Sequence, residues 1–327
     1  MVTIATLGSH SALNILAGAK DEGFNTLLLC EKSRRFYERF RVADKIMYLD
    51  SLSELRKHSL QEDLIEEDVI LIPHGSFISY LDLDFLENEF SVPIFGNKFL
   101  FRHESDRVLE QEWFHQAQLR TPRTFTPETI DRRVIVKYHG AKGGKGYFTV
   151  DSPREYAEKA GEVDGEVQIQ EWIHGVTMYF HYFQSPLSGE LELTSIDRRY
   201  ETTADAVHAA PDRDPTYVVV GNFPLVIRES LLEQVFDQGD KIVSASRDLD
   251  LDHRGLIGPF CLETIVTDTP EIVVFEISAR IVAGTNPFVP YSPYTYAKYF
   301  EPMSTGRRIA REIKCALQEE RIADLIT

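Results

Sequence analysis

Three lysines and four glycines are concentrated in residues 134–148, VIVKYHGAKGGKGYF. The first four residues, Val134-Ile135-Val136-Lys137, read as a β-strand, whose alternate side chains point to opposite faces. Lys137 would be aimed out of a packed sheet from a fixed base. Glycines 140, 143, 144 and 146 allow a sharp bend and a close backbone approach to a ligand. The amides of Gly143, Gly144 and Gly146, together with Lys142 and Lys145, suit a polyphosphate. The spacing is neither that of the P-loop nor that of the dinucleotide fingerprint. A lysine-rich surface hairpin is the plainer alternative.

Glu263 and Glu276 each interrupt an apolar strand pattern, in GPFCLETIV and EIVVFEISAR. Side by side on adjacent antiparallel strands, the two carboxylates would repel unless a cation lay between them. Mg²⁺, or Mn²⁺ in its place, suits one or two carboxylates plus phosphate oxygens. Two solvent-facing glutamates on a hairpin are the alternative. Arg280, four residues after Glu276, could reach a phosphate near the metal or stand as a surface cation. Gln170-Glu171-Trp172-Ile173 closes a strand and enters a turn. Such a strand end offers backbone N–H and C=O groups to an adenine edge, although a buried Trp172 explains the pattern equally. The basic run 32–41, KSRRFYERFR, is a solvated face unless Arg34 and Arg35 help to hold a monophosphate.

These residues need rigid supports. In the first hundred residues, strands near 2–7, 26–30, 68–73 and 92–95 alternate with helical segments such as 11–22. That alternation predicts a parallel sheet with helical crossovers. Ligands of such sheets bind beyond the carboxyl ends of the strands. The turns Gly8-Ser9-His10, His74-Gly75-Ser76 and Gly96-Asn97-Lys98 lie at such ends. A polar helix is expected over 104–118. Strand-rich sequence follows at 134–137, 147–150, 166–172, 177–184 and 191–199. The last third holds a helix over 228–249, strands 258–265 and 272–277, and helical spacing over 306–325. The fold class is therefore mixed, α/β followed by α+β.

Thirty-five basic against 52 acidic residues give a formal charge of −17. That balance argues against nucleic acid and anionic membrane as partners, but not against a small anion held by a local cationic cluster. The start, MVTIATLGSH, carries no secretory pattern, and no apolar run is long enough to span a membrane. Cys30, Cys261 and Cys315 are odd in number and far apart, which suits reduced thiols in a cytoplasm.

In order, the strand lysine, the glycine-rich segment 140–146, the hinge at 170–174 and the paired glutamates resemble the ATP-grasp superfamily. The resemblance implies ATP as co-substrate. It divides the chain into an N-terminal α/β substrate-binding part (1–100), a central ATP-grasp part with a glycine-rich flap (101–185) and a C-terminal part with the metal strands (186–327). Arg107 matches the position of a nucleotide-binding lysine. One departure is plain: the usual Glu-x-Asn-x-Arg is here Glu276-Ile277-Ser278-Ala279-Arg280, with Asn286 a substitute for the missing amide. The segments GSHSALNI (8–15), HGSF (74–77), GNKFLFRHESDR (96–107), GNFP (221–224) and CLE…FEISARIVAGTN resemble one family in particular, the archaeal formate-dependent FAICAR synthetases.

That resemblance implies that His10, Ser11 and Ser76 bind the ribonucleotide AICAR and that Asn222 faces its base. It also implies that Glu201 contacts ATP, that Glu263 and Glu276 hold Mg²⁺, and that Lys137 and Arg280 are catalytic. Formate would be the acid, no nucleophilic side chain would be needed, and the enzyme would self-assemble. Ser76 as a turn cap and Asn222 as a turn residue are the plain alternatives. The rival functions are a relative joining another acid–amine pair and a nucleotide sensor without turnover.

Overall fold

The computed structural model describes residues 2–138, 147–160, 167–202, 218–282 and 292–327. Three sheets carry the molecule. The first is parallel, in the order β3-β2-β1-β4, from β1 (Thr3–Leu7), β2 (Asn25–Glu31), β3 (Lys45–Leu49) and β4 (Val69–Leu71). Helix Ala12–Asp21 makes the crossover from β1 to β2. It stops at Gly23, whose φ of +88° suits a residue without a Cβ. Leu27, Leu29, Leu7 and Leu71 bury the sheet's interior.

Two expectations fail here. Residues 92–95 do not form a strand: Ile94 makes only an isolated bridge to Leu71, and Phe95 one to Ile326. Both residues are buried, so burial without a ladder misled the sequence reading. The helix expected over 104–118 is two helices, Phe101–Ser105 and Arg107–Gln116. Asp106 separates them, its carboxylate accepting from the Val108 and Leu109 N–H groups at 2.8 and 3.1 Å. An aspartate in that capping role starts a helix rather than continuing one.

The second sheet is antiparallel, β5-β8-β6-β7, from β5 (Thr124–Phe125), β6 (Val134–Tyr138), β7 (Tyr147–Val150) and β8 (Val167–Glu171). Val134, Val136, Val150 and Ile169 form its apolar core. By strand alternation Lys137 and its cross-strand partner Gln168 occupy the other face.

The third sheet runs β11-β10-β9-β12-β13, from β9 (Gly175–Gln184), β10 (Leu191–Glu201), β11 (Val219–Pro224), β12 (Gly258–Thr267) and β13 (Ile272–Ser278). Phe180, Tyr182, Phe260, Leu262 and Ile277 pack into a core with Val235 and Ile242 of helix Leu232–Ser246. The opposite face carries Tyr179, Asp197, Glu263 and Glu276 in cross-strand register.

The chain then returns to its beginning. Helix Thr305–Gln318 crosses helix Ala12–Asp21 so closely that a Cβ on Gly18 would lie 2.0 Å from the Arg307 amide nitrogen. Ile309 and Ile313 share a core with Ile4 and Ile15. All three cysteines are free thiols. Among the described residues no helix is long and apolar enough to cross a membrane.

Candidate active site

Glu263 and Glu276 are direct cross-strand partners, with a register shift between Glu263 and Thr264. Bulges re-aim side chains, and this one sits at the carboxylate pair. Burial raises the Glu263 carboxyl pKa, and the nearby Glu276 raises it further. Among the described residues no third His, Cys, Asp or Glu joins them as a metal-ligating group. Two carboxylates alone give an oxygen donor set that phosphate oxygens and water must complete, the manner in which Mg²⁺ is held with a nucleotide.

Cations surround this pair. Arg107 Nη1 lies 3.5 Å from Glu276 Oε2 and 3.5 Å from Glu110 Oε2. Glu110, buried, accepts the Ile277 N–H at 3.0 Å on its other oxygen and so fixes Arg107 to β13. Burial raises the Glu110 carboxyl pKa, and Glu276 raises it further. From the second sheet, Lys137 places Nζ 5.4 Å from the centroid of the Phe275 ring, beside Glu276. Burial lowers its ammonium pKa, Glu276 opposes that, and Arg107 reinforces it. A polyanion between the two sheets would relieve this cost.

At the strand end, Gln170 is buried and both its side-chain Oε1 and Nε2 lack hydrogen-bond partners among the described residues. A buried amide with neither end satisfied is unusual and points to an absent polar partner. Glu171 donates its backbone N–H to Arg123 O at 2.8 Å. Trp172 is half-buried under the Arg133 guanidinium, 5.5 Å from the ring centroid, and Ile173 follows it out of the strand. Glu201 ends β10 opposite Val219, with its carboxyl pKa raised by burial. Lys142, Gly143, Gly144, Lys145, Gly146 and Asn286 lie outside the described residues.

A second cluster forms at the carboxyl edge of the parallel sheet. His10, at φ +34°, brings Nδ1 within 2.5 Å of Ser76 Oγ and 3.0 Å of Ser9 Oγ. Beneath it, His74 is fully buried and its pKa falls to about 3, chiefly by desolvation. Its Nδ1 accepts the Ser76 N–H at 3.3 Å, so Nε2 carries the proton and donates to Leu7 O at 2.9 Å. Ser11 is buried and donates to Val282 O at 3.0 Å, tying this loop to the segment after β13. His74 pairs with Ile281 through its backbone, as an isolated parallel bridge.

Arg280 joins the two clusters. Its Nη2 lies 2.8 Å from Glu104 Oε1, while Glu104 Oε2 accepts the Ala279 N–H at 2.6 Å. Burial lowers the His10 pKa, and Arg280, Arg34 and Arg199 lower it further, in that order. Arg34 donates to Gly8 O at 2.9 Å and to Tyr80 Oη at 3.1 Å, so it braces the loop. Arg35 points outward, over Tyr48. Ser278 is buried opposite Cys261.

Sequence reading missed Arg199, Glu110 and Glu104. Arg199 donates from Nη1 to Asn222 Oδ1 at 3.3 Å, and its Nη2 lies 3.8 Å from Glu263 Oε1. The available signal was faint: Asp197 and Arg199 lie two apart on one face of β10, but that strand also carries Glu192, Arg198 and Glu201. Glu110 and Glu104 are ordinary helix residues in sequence, and only their partners on β13 and beyond distinguish them.

Residues 158–327 match a domain of unknown function, DUF1297, and residues 4–125 match a protein of unknown function, DUF1246. A 5-formaminoimidazole-4-carboxamide-1-(beta)-D-ribofuranosyl 5'-monophosphate synthetase of Pyrococcus horikoshii is 50% identical, covering 100% of both chains. The Methanocaldococcus jannaschii protein of that name is 46% identical, covering 100% of this chain and 95% of its own. An IMP biosynthesis protein PurP from Thermococcus kodakaraensis superposes with a TM-score of 0.82 at 30% identity, over 99% of this chain and 100% of that one. An ADP complex of N5-carboxyaminoimidazole ribonucleotide synthetase superposes at 0.67 with 16% identity, covering 95% of this chain and 76% of that one, which shows a shared fold.

Proposed function

Because the chain belongs to the family of 5-formaminoimidazole-4-carboxamide-1-(beta)-D-ribofuranosyl 5'-monophosphate synthetases, we propose that it formylates AICAR with formate and ATP to give FAICAR, ADP and phosphate. The observation that carries the reading is Glu263 opposite Glu276, with Lys137 and Arg107 turned toward them and the His10–Ser76 loop reaching the same face beside Arg280. The same reading divides the work among residues 1–100, 101–185 and 186–327, as acceptor, nucleotide and metal parts.

Free formate is a poor acyl donor, since its leaving group would be oxide or hydroxide. A formate oxygen attacks the γ-phosphorus of ATP, the bond to the ADP oxygen breaks, and formyl phosphate forms. The 5-amino group of AICAR then attacks the formyl carbon, phosphate departs with the oxygen it received, and the surplus amine proton leaves with it. Lys137 and Arg107 suit the nucleotide phosphates, and Gln170 suits the adenine edge. The helix N-terminus after Gly8 suits the monophosphate of AICAR, with His10 and Ser76 beside it. Glu263 and Glu276 would hold Mg²⁺, which supplies charge neutralisation on the phosphates. The protein's work is positioning and fixed charge rather than covalent chemistry.

A steady-state assay tests the reading: phosphate release with ATP, Mg²⁺, formate and AICAR, omitting each in turn. Release should need all four, and Glu276→Gln should lower it by about 100-fold or more, given the several kcal/mol that such a charge site contributes. Release independent of formate and AICAR overturns the proposal. Three free thiols suit a cytoplasmic setting.

A further inference from the structure

Arg199 is more than nine-tenths buried, with 8% of its side chain exposed. Its guanidinium carbon lies over the Tyr179 ring, 4.2 Å from the centroid. Its surroundings satisfy it poorly. Nη1 donates to Asn222 at 3.3 Å, but Nε has no hydrogen-bond partner among the described residues. Asp197 Oδ2, 3.7 Å from Nε, is likewise unpartnered, because Asp197 turns its other oxygen to buried His181. Glu263 stands off at 3.8 Å. A charge-assisted N–H···O bond closes to about 2.7–2.9 Å, so none of these contacts is the strong pairing that a buried guanidinium needs.

We propose that Arg199 is the subsite for the small carboxylate, binding formate and keeping hold of its oxygen in the formyl phosphate. The inference rests on the proposed reaction. Position favours a carboxylate over the other anions. Lys137 and Arg107 already face the nucleotide side. The AICAR monophosphate has the helix N-terminus after Gly8, where Arg34 braces the loop. Arg199 lies between Glu263, at the metal edge, and Asn222, on the acceptor side. The acid must meet both centres: one of its oxygens bonds the γ-phosphorus, and its carbon then bonds the acceptor amine. A planar guanidinium with unmet N–H groups matches a monocarboxylate in shape and charge.

The test compares wild type with Arg199→Gln and Arg199→Lys. The Michaelis constant for formate should rise about 10- to 100-fold in R199Q, the worth of a hydrogen bond to a charged group. The constants for ATP and AICAR, and direct binding of ADP, should stay within about twofold of wild type. Added guanidinium ion should recover part of the formate affinity in R199Q. An unchanged formate constant, or a loss falling on ATP or AICAR instead, overturns the assignment. If R199Q no longer binds ADP, R199K decides by the same comparison. A wild type indifferent to formate would instead sink the proposed reaction, so the two failures are separable.

Discussion

At the scale of single residues, the site shows how burial shapes charge. His74 has no room for a proton: its Nδ1 accepts from Ser76, and its pKa is depressed to about 3 by desolvation. In the unfolded chain the imidazole takes a proton below about pH 6.5. Between about pH 6.5 and 3 the unfolded state therefore binds one more proton. This group's contribution is complete above 6.5 and declines as pH falls, by about 1.4 kcal/mol per unit. His74→Gln, whose amide can replace both hydrogen bonds, should flatten the acid limb of stability between pH 6.5 and 4.5 by that slope. Denaturant unfolding at several pH values measures it, and an unchanged slope would show that His74 is not the responsive group. Lys137, Glu263 and Glu276 were legible in the sequence because a charge inside an apolar strand must face something. Arg199 carried the same signal more faintly. Glu104 and Glu110 carried none, since their partners lie about 170 residues away in the chain.

At the scale of elements, the strongly buried strands and the longer helices followed from apolar runs and spacing. The misses have physical causes. β3, KIMYL, is an edge strand that is mostly only half-buried, so its pattern is weak. β11 was visible only as a motif, because its exposed and half-buried residues show no alternation. Residues 92–95 are as apolar as a strand but bridge at single points. Asp106 divides a helical stretch, and that break sets Arg107 in the first turn of a new helix, aimed at Glu276. The crossing of helices Ala12–Asp21 and Thr305–Gln318 was equally invisible, because it depends on two glycines meeting backbone. In an open helix, Gly→Ala stabilises by roughly 1 kcal/mol. At Gly18 the added Cβ would lie 2.0 Å from the Arg307 nitrogen, and backbone must move. Gly18→Ala should therefore destabilise by roughly 1–3 kcal/mol, the usual cost of overpacking, read as a lowered melting temperature. A raised one would mean that the helices do not cross as described.

At the scale of the whole molecule, a chain of net charge −17 gathers Lys137, Arg107, Arg199, Arg280 and Arg34 around one polar sheet face and one loop edge. An acidic surface with a local cationic interior can take small anions without attracting nucleic acid. The architecture brings the parts together by returning the helix Thr305–Gln318 to the helix Ala12–Asp21, and by linking the His10–Ser76 loops to the segment after β13 through Ser11–Val282 and His74–Ile281. Sequence alone suggested a polyphosphate loop and a pair of carboxylates that a cation would suit. That the His10–Ser76 loops and the segment after β13 meet was a matter of long-range contacts, which no local pattern encodes. The central claim is that the acid is activated by phosphorylation before the amine attacks. It is tested most directly with ¹⁸O-labelled formate in a complete reaction, followed by mass analysis of the phosphate released. One labelled oxygen should appear in each phosphate. Phosphate free of label, formed alongside the formylated product, would contradict the account.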